Sequence, residues 1–404
     1  MPGPLVGTRI LDFTTGIAGP YATKLLADYG ADVIKVEPPE GDRTRALGPF
    51  RGDVPNGDAS GTFLFFNTNK RSVALDLADP RARDAVLGLA ASADLAVESA
   101  APGKLDAFGL GFEALNARNP ALSLVSVTNF GQESPYRDYK GTELTLYGFG
   151  GEMYTMGVLE REPVKMYGTA GLVEAGSAAA VAAMGALFAS KRQGIGQHVD
   201  VAIADAHFGG ADRRHVAAIA YEFSGRKTAR ASQDAHGVLR GVYPCADGFV
   251  ELSGSGARLD RLSKMLGDPE WLQDAKWRLP GALLRPENGE EIEANLYPWL
   301  YSHTKREIWE AAQEARVLCG PLLTIDEIAE DEHFRARGFW EQVDHPAAGA
   351  FEMPGRPFIM PKSPWELRRN APLLGEHARE VLVEAGLAQG DIDALIASGA
   401  AVAR

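Results

Sequence analysis

Arg9-Ile10-Leu11-Asp12-Phe13, followed by Gly19-Pro20 and then by Asp32-Val33-Ile34-Lys35-Val36-Glu37, decides the fold class. The first run is a short apolar strand. Pro20 suits the first turn of a helix, where its missing N–H costs nothing. From Tyr21 to Tyr29 the apolar residues Leu25, Leu26 and Tyr29 recur at helical spacing, and Gly30 is placed to end the helix. The second run is nearly continuous in apolar residues, as a parallel strand covered on both faces requires. Together they form a β-α-β unit.

The pattern repeats. Ser72 to Leu77 reads as a strand, Asp79-Pro80 as an N-cap and first helical residue, and Arg81 to Ala91 as a helix. Leu95 to Glu98 and Leu122 to Val127 read as further strands. Repeated β-α-β units predict an α/β fold with an open parallel sheet. Ala175 to Ser190 is a helix of small residues and is expected to be buried. After about residue 225 the character changes. A polar linker, Arg226 to Ser232, leads to a hairpin of Gly241 to Cys245 and Phe249 to Leu252, and helices follow at Leu259 to Leu266 and Lys305 to Ala315. This predicts a large domain over 1–225, a smaller α+β domain over 226–330, and a segment 331–404 in which a Pro-rich crossing is followed by a helix from Glu376 to Ala385.

The 404 residues exceed one small core. A net charge of −13 argues against nucleic acid as a partner. The sequence shows neither a signal-peptide pattern at Met1 to Leu5 nor an apolar run of the ~20 residues a membrane span needs. Cys245 and Cys319 lack metal-ligand spacing, so reduced thiols and a cytoplasmic location are expected. The histidines show no zinc motif, and His198 and His207 are expected to satisfy local hydrogen bonds. Ser177 lacks the glycine context of a nucleophile elbow.

Several segments, in order along nearly the whole chain, resemble the family III CoA-transferases. They are Gly16-Ile17-Ala18-Gly19-Pro20-Tyr21-Ala22, Ala31 to Pro39, Asn69-Lys70-Arg71-Ser72 to Leu77, Asn129-Phe130-Gly131-Gln132, Gly194 with Gly196 to Asp200, and Ala371-Pro372-Leu373-Leu374-Gly375-Glu376-His377. The resemblance implies a Rossmann-like large domain built from both chain ends and an interlocked dimer. It also implies an active site between domains, and CoA and acyl-CoA as substrates with no tightly bound cofactor or metal. The reaction moves CoA from a thioester to a small carboxylic acid through a carboxylate nucleophile. Backbone N–H groups stabilise the tetrahedral oxyanions.

In that family an aspartate opens the helix that follows Pro163 to Thr169. Counting forward from Val164 and back from Gly176 both arrive at Leu172. Glu174 is the nearby carboxylate, but two residues on it is turned ~200° around a helix. By the same resemblance Ile17, Ala18, Lys70, Arg71 and Lys140 are candidates for holding CoA, and Gly254 and Gly256 for a Gly-rich loop near the acyl group. Ala107 replaces an arginine that contacts the CoA phosphates, and Thr142 replaces the histidine of the racemase branch, which disfavours that chemistry. The expectation is a subunit of a hetero-oligomeric CoA-transferase whose homologous partner carries the aspartate, as in two-subunit members that act on benzylsuccinate-type acids with succinyl-CoA. The alternatives are a homodimer using Glu174 and a non-catalytic protein that binds CoA esters. A lyase or hydratase acting on a CoA ester is a further alternative.

Overall fold

A computed structural model describes residues 2–210, 214–232, 240–253, 259–279, 282 and 285–404. The chain divides into two compact units, Met1–Tyr154 with Lys165–Thr228 and Ala336–Arg404, and Thr155–Val164 with Ala229–Arg335. The sequence places boundaries after 225 and 330. In the structure Thr155–Val164 also groups with the smaller unit, because Leu159 N–H donates to Ala231 O at 3.0 Å and Arg230 Nε to Val158 O at 3.1 Å.

The large unit is an α/β sandwich. Its strands are β1 (Arg9–Phe13), β2 (Asp32–Glu37), β3 (Lys70–Leu75), β4 (Leu95–Glu98), β5 (Ser123–Thr128) and β6 (His198–Ala202). With the C-terminal Ala401–Val402 they form a sheet in which that last strand lies beside β3 and the order then runs β2, β1, β4, β5, β6. The pairs among β1 to β6 are parallel, and Ala401–Val402 alone runs antiparallel. Successive side chains alternate between two cores, which is why the strands read as continuous apolar runs. Leu11, Ile34, Val73 and Ala96 face a layer that includes Val86, Leu89, Val381, Leu382, Ile392 and Leu395. Ile10, Val33, Val97 and Val125 face the other layer, with Ala22, Leu26, Ala175, Ala179 and Ala183.

Two local expectations shift. β3 spans Lys70–Leu75 rather than Ser72 to Leu77; it ends early because Asp76 turns the chain toward Asp79 and accepts from Ala78 N–H at 2.9 Å. The small-residue helix spans Ala170–Gln193, five residues earlier than its apolar pattern suggests. It is also not wholly buried. Ala175, Ala179, Ala183 and Ala186 lie in the core, while Val181 (74% exposed), Met184 and Phe188 (63%) form an apolar outer face. By length and composition this helix also passes as a membrane span. Its alanine face, however, packs on the first helix, Ala18–Asp28.

In the smaller unit β7 (Arg240–Cys245), β8 (Gly248–Ser253) and β9 (Leu318–Pro321) form an antiparallel sheet in that order. Val250, Leu252, Ile292, Leu296, Ile308 and Ala312 build its core. The Lys305–Ala315 helix starts with a capping box between Thr304 and Glu307, a pairing legible in its Thr-x-x-Glu spacing.

Candidate active site

The large unit brings two helix N-termini together, those of Ala18–Asp28 and Ala170–Gln193. Contact is close because Gly176 has no side chain: a Cβ there would lie 2.5 Å from Ala18 O and 3.2 Å from Tyr21 Cβ. Ile17 is the N-cap of the first helix and Ala18 its first residue, and both are buried. Leu172 stands one turn, about 6 Å, before Gly176. The candidates Ile17, Ala18 and Leu172 are thus gathered in one region.

A buried charge network supports the turn that leads into the first helix. Asp12, at the end of β1, accepts from Thr14 N–H at 2.9 Å, Thr23 Oγ at 2.7 Å and Lys70 Nζ at 2.9 Å. Lys35 donates to Thr14 O at 2.9 Å and pairs with Asp42 at 2.8 Å. Asp42 in turn accepts from Gly16 N–H at 3.2 Å and Thr44 N–H at 2.8 Å. Burial raises the Asp12 and Asp42 carboxyls. Lys70 and Lys35 outweigh that effect, so Asp12 is lowered and Asp42 is held at about 2.

The network changes the reading of Lys70 and Arg71. Lys70 is fully buried, and its ammonium donates to Asp12, to Asn67 Oδ1 at 2.9 Å and to Pro20 O at 3.0 Å. All three donors are used, so no direct phosphate contact is available to it. Arg71 is buried and pairs with Asp32 at 2.6 Å, Glu384 at 2.8 Å and Glu380 at 3.2 Å. It fastens β3 to the Ala378–Glu384 helix rather than facing a ligand. Both residues sit on a strand covered on both faces, where a basic side chain must find an internal partner. Lys140 is exposed on the loop before the Glu143–Phe149 helix, with no ion pair among the described residues. Gly254 and Gly256 lie outside the described residues.

At the other N-terminus Leu172 packs its half-buried side chain against the core beneath the first helix. Glu174 points elsewhere, with its Oε2 3.9 Å from Nδ1 of the fully buried His207. His207 comes from the Ile203–Gly210 helix and is wedged between two glycines. A Cβ on Gly171 would lie 2.2 Å from its Cε1, and a Cβ on Gly150 2.7 Å from its Cβ. The Tyr147 ring meets it edge-on at 5.6 Å. His198 behaves as the sequence suggests, with Nε2 2.8 Å from Ser126 Oγ. The sequence reading missed Lys165. Its ammonium pairs with Glu143 at 3.0 Å and donates to Met166 O at 2.6 Å and Gly168 O at 2.7 Å, tying down the loop before the long helix.

Leu172 cannot attack a carbonyl, and Glu174 faces the His207 imidazole, 3.9 Å away, from another side of the helix. The region offers a closed turn and two helix N-termini suited to anions, but no carboxylate at Leu172.

The pattern for CoA-transferase family III matches residues 5–378. Over 98% of its length the chain is 34% identical to succinyl-CoA:(R)-benzylsuccinate CoA-transferase subunit BbsE of Thauera aromatica, covering 97% of that protein. It is 35% identical to formyl-CoA:oxalate CoA-transferase of Afipia carboxidovorans, with 95% of this chain and 93% of that one covered. Identity to succinate–glutarate CoA-transferase of Agrobacterium fabrum is 34%, over 94% and 95% of the two chains. Among solved structures, a CaiB/BaiF family protein from Brucella suis superposes with a TM-score of 0.83 at 29% identity, covering 95% of this chain and all of that one. Family match, curated relatives and fold agree over almost the full length: this chain belongs to CoA-transferase family III.

Proposed function

We propose that this chain is the non-nucleophilic subunit of a hetero-oligomeric CoA-transferase that moves CoA from an acyl-CoA such as succinyl-CoA to a carboxylic acid. The observation that carries this reading is Leu172, half-buried against the apolar core at the start of the long helix, the position at which the resemblance puts the family's aspartate. Acyl exchange through an anhydride requires a carboxylate there. A homologous partner supplies it, and the relative from Thauera aromatica is itself named as a subunit. The outer face of the long helix also supports a partner. Val181, Met184 and Phe188 are exposed in a row, and Ile219 and Phe223 on the Arg214–Ser224 helix are exposed as well. An exposed apolar helix face such as that of Val181, Met184 and Phe188 suits an interface. In this assembly the chain contributes scaffold, and Ile17, Ala18 and Lys140 border the thioester.

The test is reconstitution. This chain purified alone is expected to exchange no CoA between succinyl-CoA and acceptor acids. Co-purified with a family member carrying aspartate at the matching position, it is expected to turn over. Full exchange by the chain alone defeats the proposal.

The rival reading, a homodimer that uses Glu174, places the nucleophile on a carboxylate that faces His207. Under our reading Glu174→Gln leaves the turnover of the reconstituted enzyme within about threefold, because the change keeps the side chain's shape. Loss of all turnover with an intact fold would favour the rival.

A further inference from the structure

A cavity of about 670 Å³ opens in the large unit beside Thr15, with Pro38, Gly41, Arg43, Arg45 and Phe50 among its walls. Its two guanidinium groups differ in one decisive way. Arg45 is buried and saturated: it pairs with Glu37 at 2.7 Å and Asp58 at 2.8 Å and donates to Pro372 O at 3.1 Å. Arg43 is exposed, and no carboxylate among the described residues forms an ion pair with it.

Arg43 is nevertheless held in place. Its neighbour Asp42 is fixed from both sides, by Lys35 at 2.8 Å and by Gly16 N–H at 3.2 Å. That clasps the segment carrying Arg43 onto the turn before the first helix. Gly16 has φ +82°, and a Cβ on it would lie 2.3 Å from Nη2 of Arg43. The guanidinium therefore rests directly on the Gly16 backbone, next to Ile17 and Ala18, in space only glycine leaves open. Two other carboxylates line the cavity. Asp42 is neutralised by Lys35, and Glu40 is exposed, where water and salt screen it. A guanidinium positioned by backbone, facing a cavity and lacking a protein anion is suited to bidentate capture of a ligand anion.

We propose that Arg43 is a substrate-binding residue that clamps an anionic group of the substrate in this cavity, either the free carboxylate of a dicarboxylic acyl group or a phosphate of CoA. The inference rests on the proposed function to the extent that the Gly16–Ala18 turn borders the thioester. The experiment is calorimetric titration of the full chain with succinyl-CoA, butyryl-CoA and CoA, comparing wild type with Arg43→Gln, Arg43→Lys and Gly16→Ala. Arg43→Gln weakens succinyl-CoA binding about tenfold or more, and Arg43→Lys recovers only part of the loss. Gly16→Ala, which displaces the guanidinium, reproduces the Arg43→Gln loss, and adding it to Arg43→Gln costs nothing further. If butyryl-CoA and CoA keep their affinities, the clamped group is the acyl carboxylate. If all three weaken alike, it is a CoA phosphate. Unchanged binding of all three by Arg43→Gln overturns the role of Arg43 and leaves the proposed function standing. Failure of the wild-type chain to bind any of the three overturns the clamp, while the proposed function is decided separately by the reconstitution with a homologous subunit.

Discussion

Leu172 has no group that can form an anhydride, and its neighbours on the helix are constrained by packing rather than by chemistry. Gly171 is the clearest case. Its missing Cβ makes room for His207, whose Cε1 would otherwise be 2.2 Å away. Gly171→Ala is therefore expected to destabilise the chain by about 1–3 kcal/mol. Gly185→Ala, on the same helix with nothing within 4 Å of the new methyl group, should stabilise it by about 0.5–1 kcal/mol. Thermal melts of the two variants check the pair, and equal shifts would refute the packing account. Asp42 gives a second residue-scale prediction. Its carboxyl ordinarily titrates at 3.8 and is held at about 2 in the fold. A depressed acid contributes stability above its unfolded pKa and loses it as pH falls toward the folded value. Asp42→Asn should thus cost about 3 kcal/mol at neutral pH, since it leaves Lys35 buried without its partner. The gap to wild type should narrow by about 1 kcal/mol by pH 3 and by about 2 kcal/mol near pH 2. Urea titrations that show a constant gap from pH 7 to pH 3 would contradict this. The position of Leu172 was legible because Val164 and Gly176 bracket it without a gap. The His207–Glu174 contact and the burial of Lys70 were not, because both depend on residues far apart in sequence.

At the scale of elements, the strands of the large unit could be read closely, since a strand buried on both faces writes itself as an apolar run. β1, β2 and β4 match their expected limits, and the Asp79-Pro80 helix start is as expected, with Asp79 accepting from Arg81 N–H at 2.8 Å. β6 was missed because its exposed and half-buried residues, His198-Val199-Asp200-Val201, alternate instead of running apolar. The long helix was found but its burial was misjudged. Small residues allow close packing on one face and say nothing about the other. Its outer face supplies the prediction for this scale. Phe188, 63% exposed, can be changed to Asp with an effect on the isolated chain's stability within about 0.5 kcal/mol. The same change should abolish association with the homologous subunit. Sedimentation velocity of the mixed chains tests it, and an unaffected complex would remove this face from the proposed interface.

For the whole molecule, the chain's two ends are bound into one sheet and one core. Ala401 pairs with Leu75, Trp365 Nε1 donates to Asp28 at 3.0 Å, and Val381, Leu382, Ile392 and Leu395 complete the layer beneath β1 to β4. Truncation after residue 370 is therefore expected to unfold the large unit, and a native-like circular dichroism melt of the truncated chain would show otherwise. The joining of both ends in one domain was not legible from spacing, which records neighbours along the chain only. It followed from the resemblance. The partner subunit and the interlocked assembly remain part of the proposal, and the central claim within it is chemical: without a carboxylate at position 172 this chain does not carry the acyl or CoA intermediate. The most direct test is intact-mass spectrometry of the isolated chain after incubation with succinyl-CoA, with and without hydroxylamine. The account predicts an unmodified mass in both samples. A hydroxylamine-labile CoA or acyl adduct on the isolated chain would contradict it.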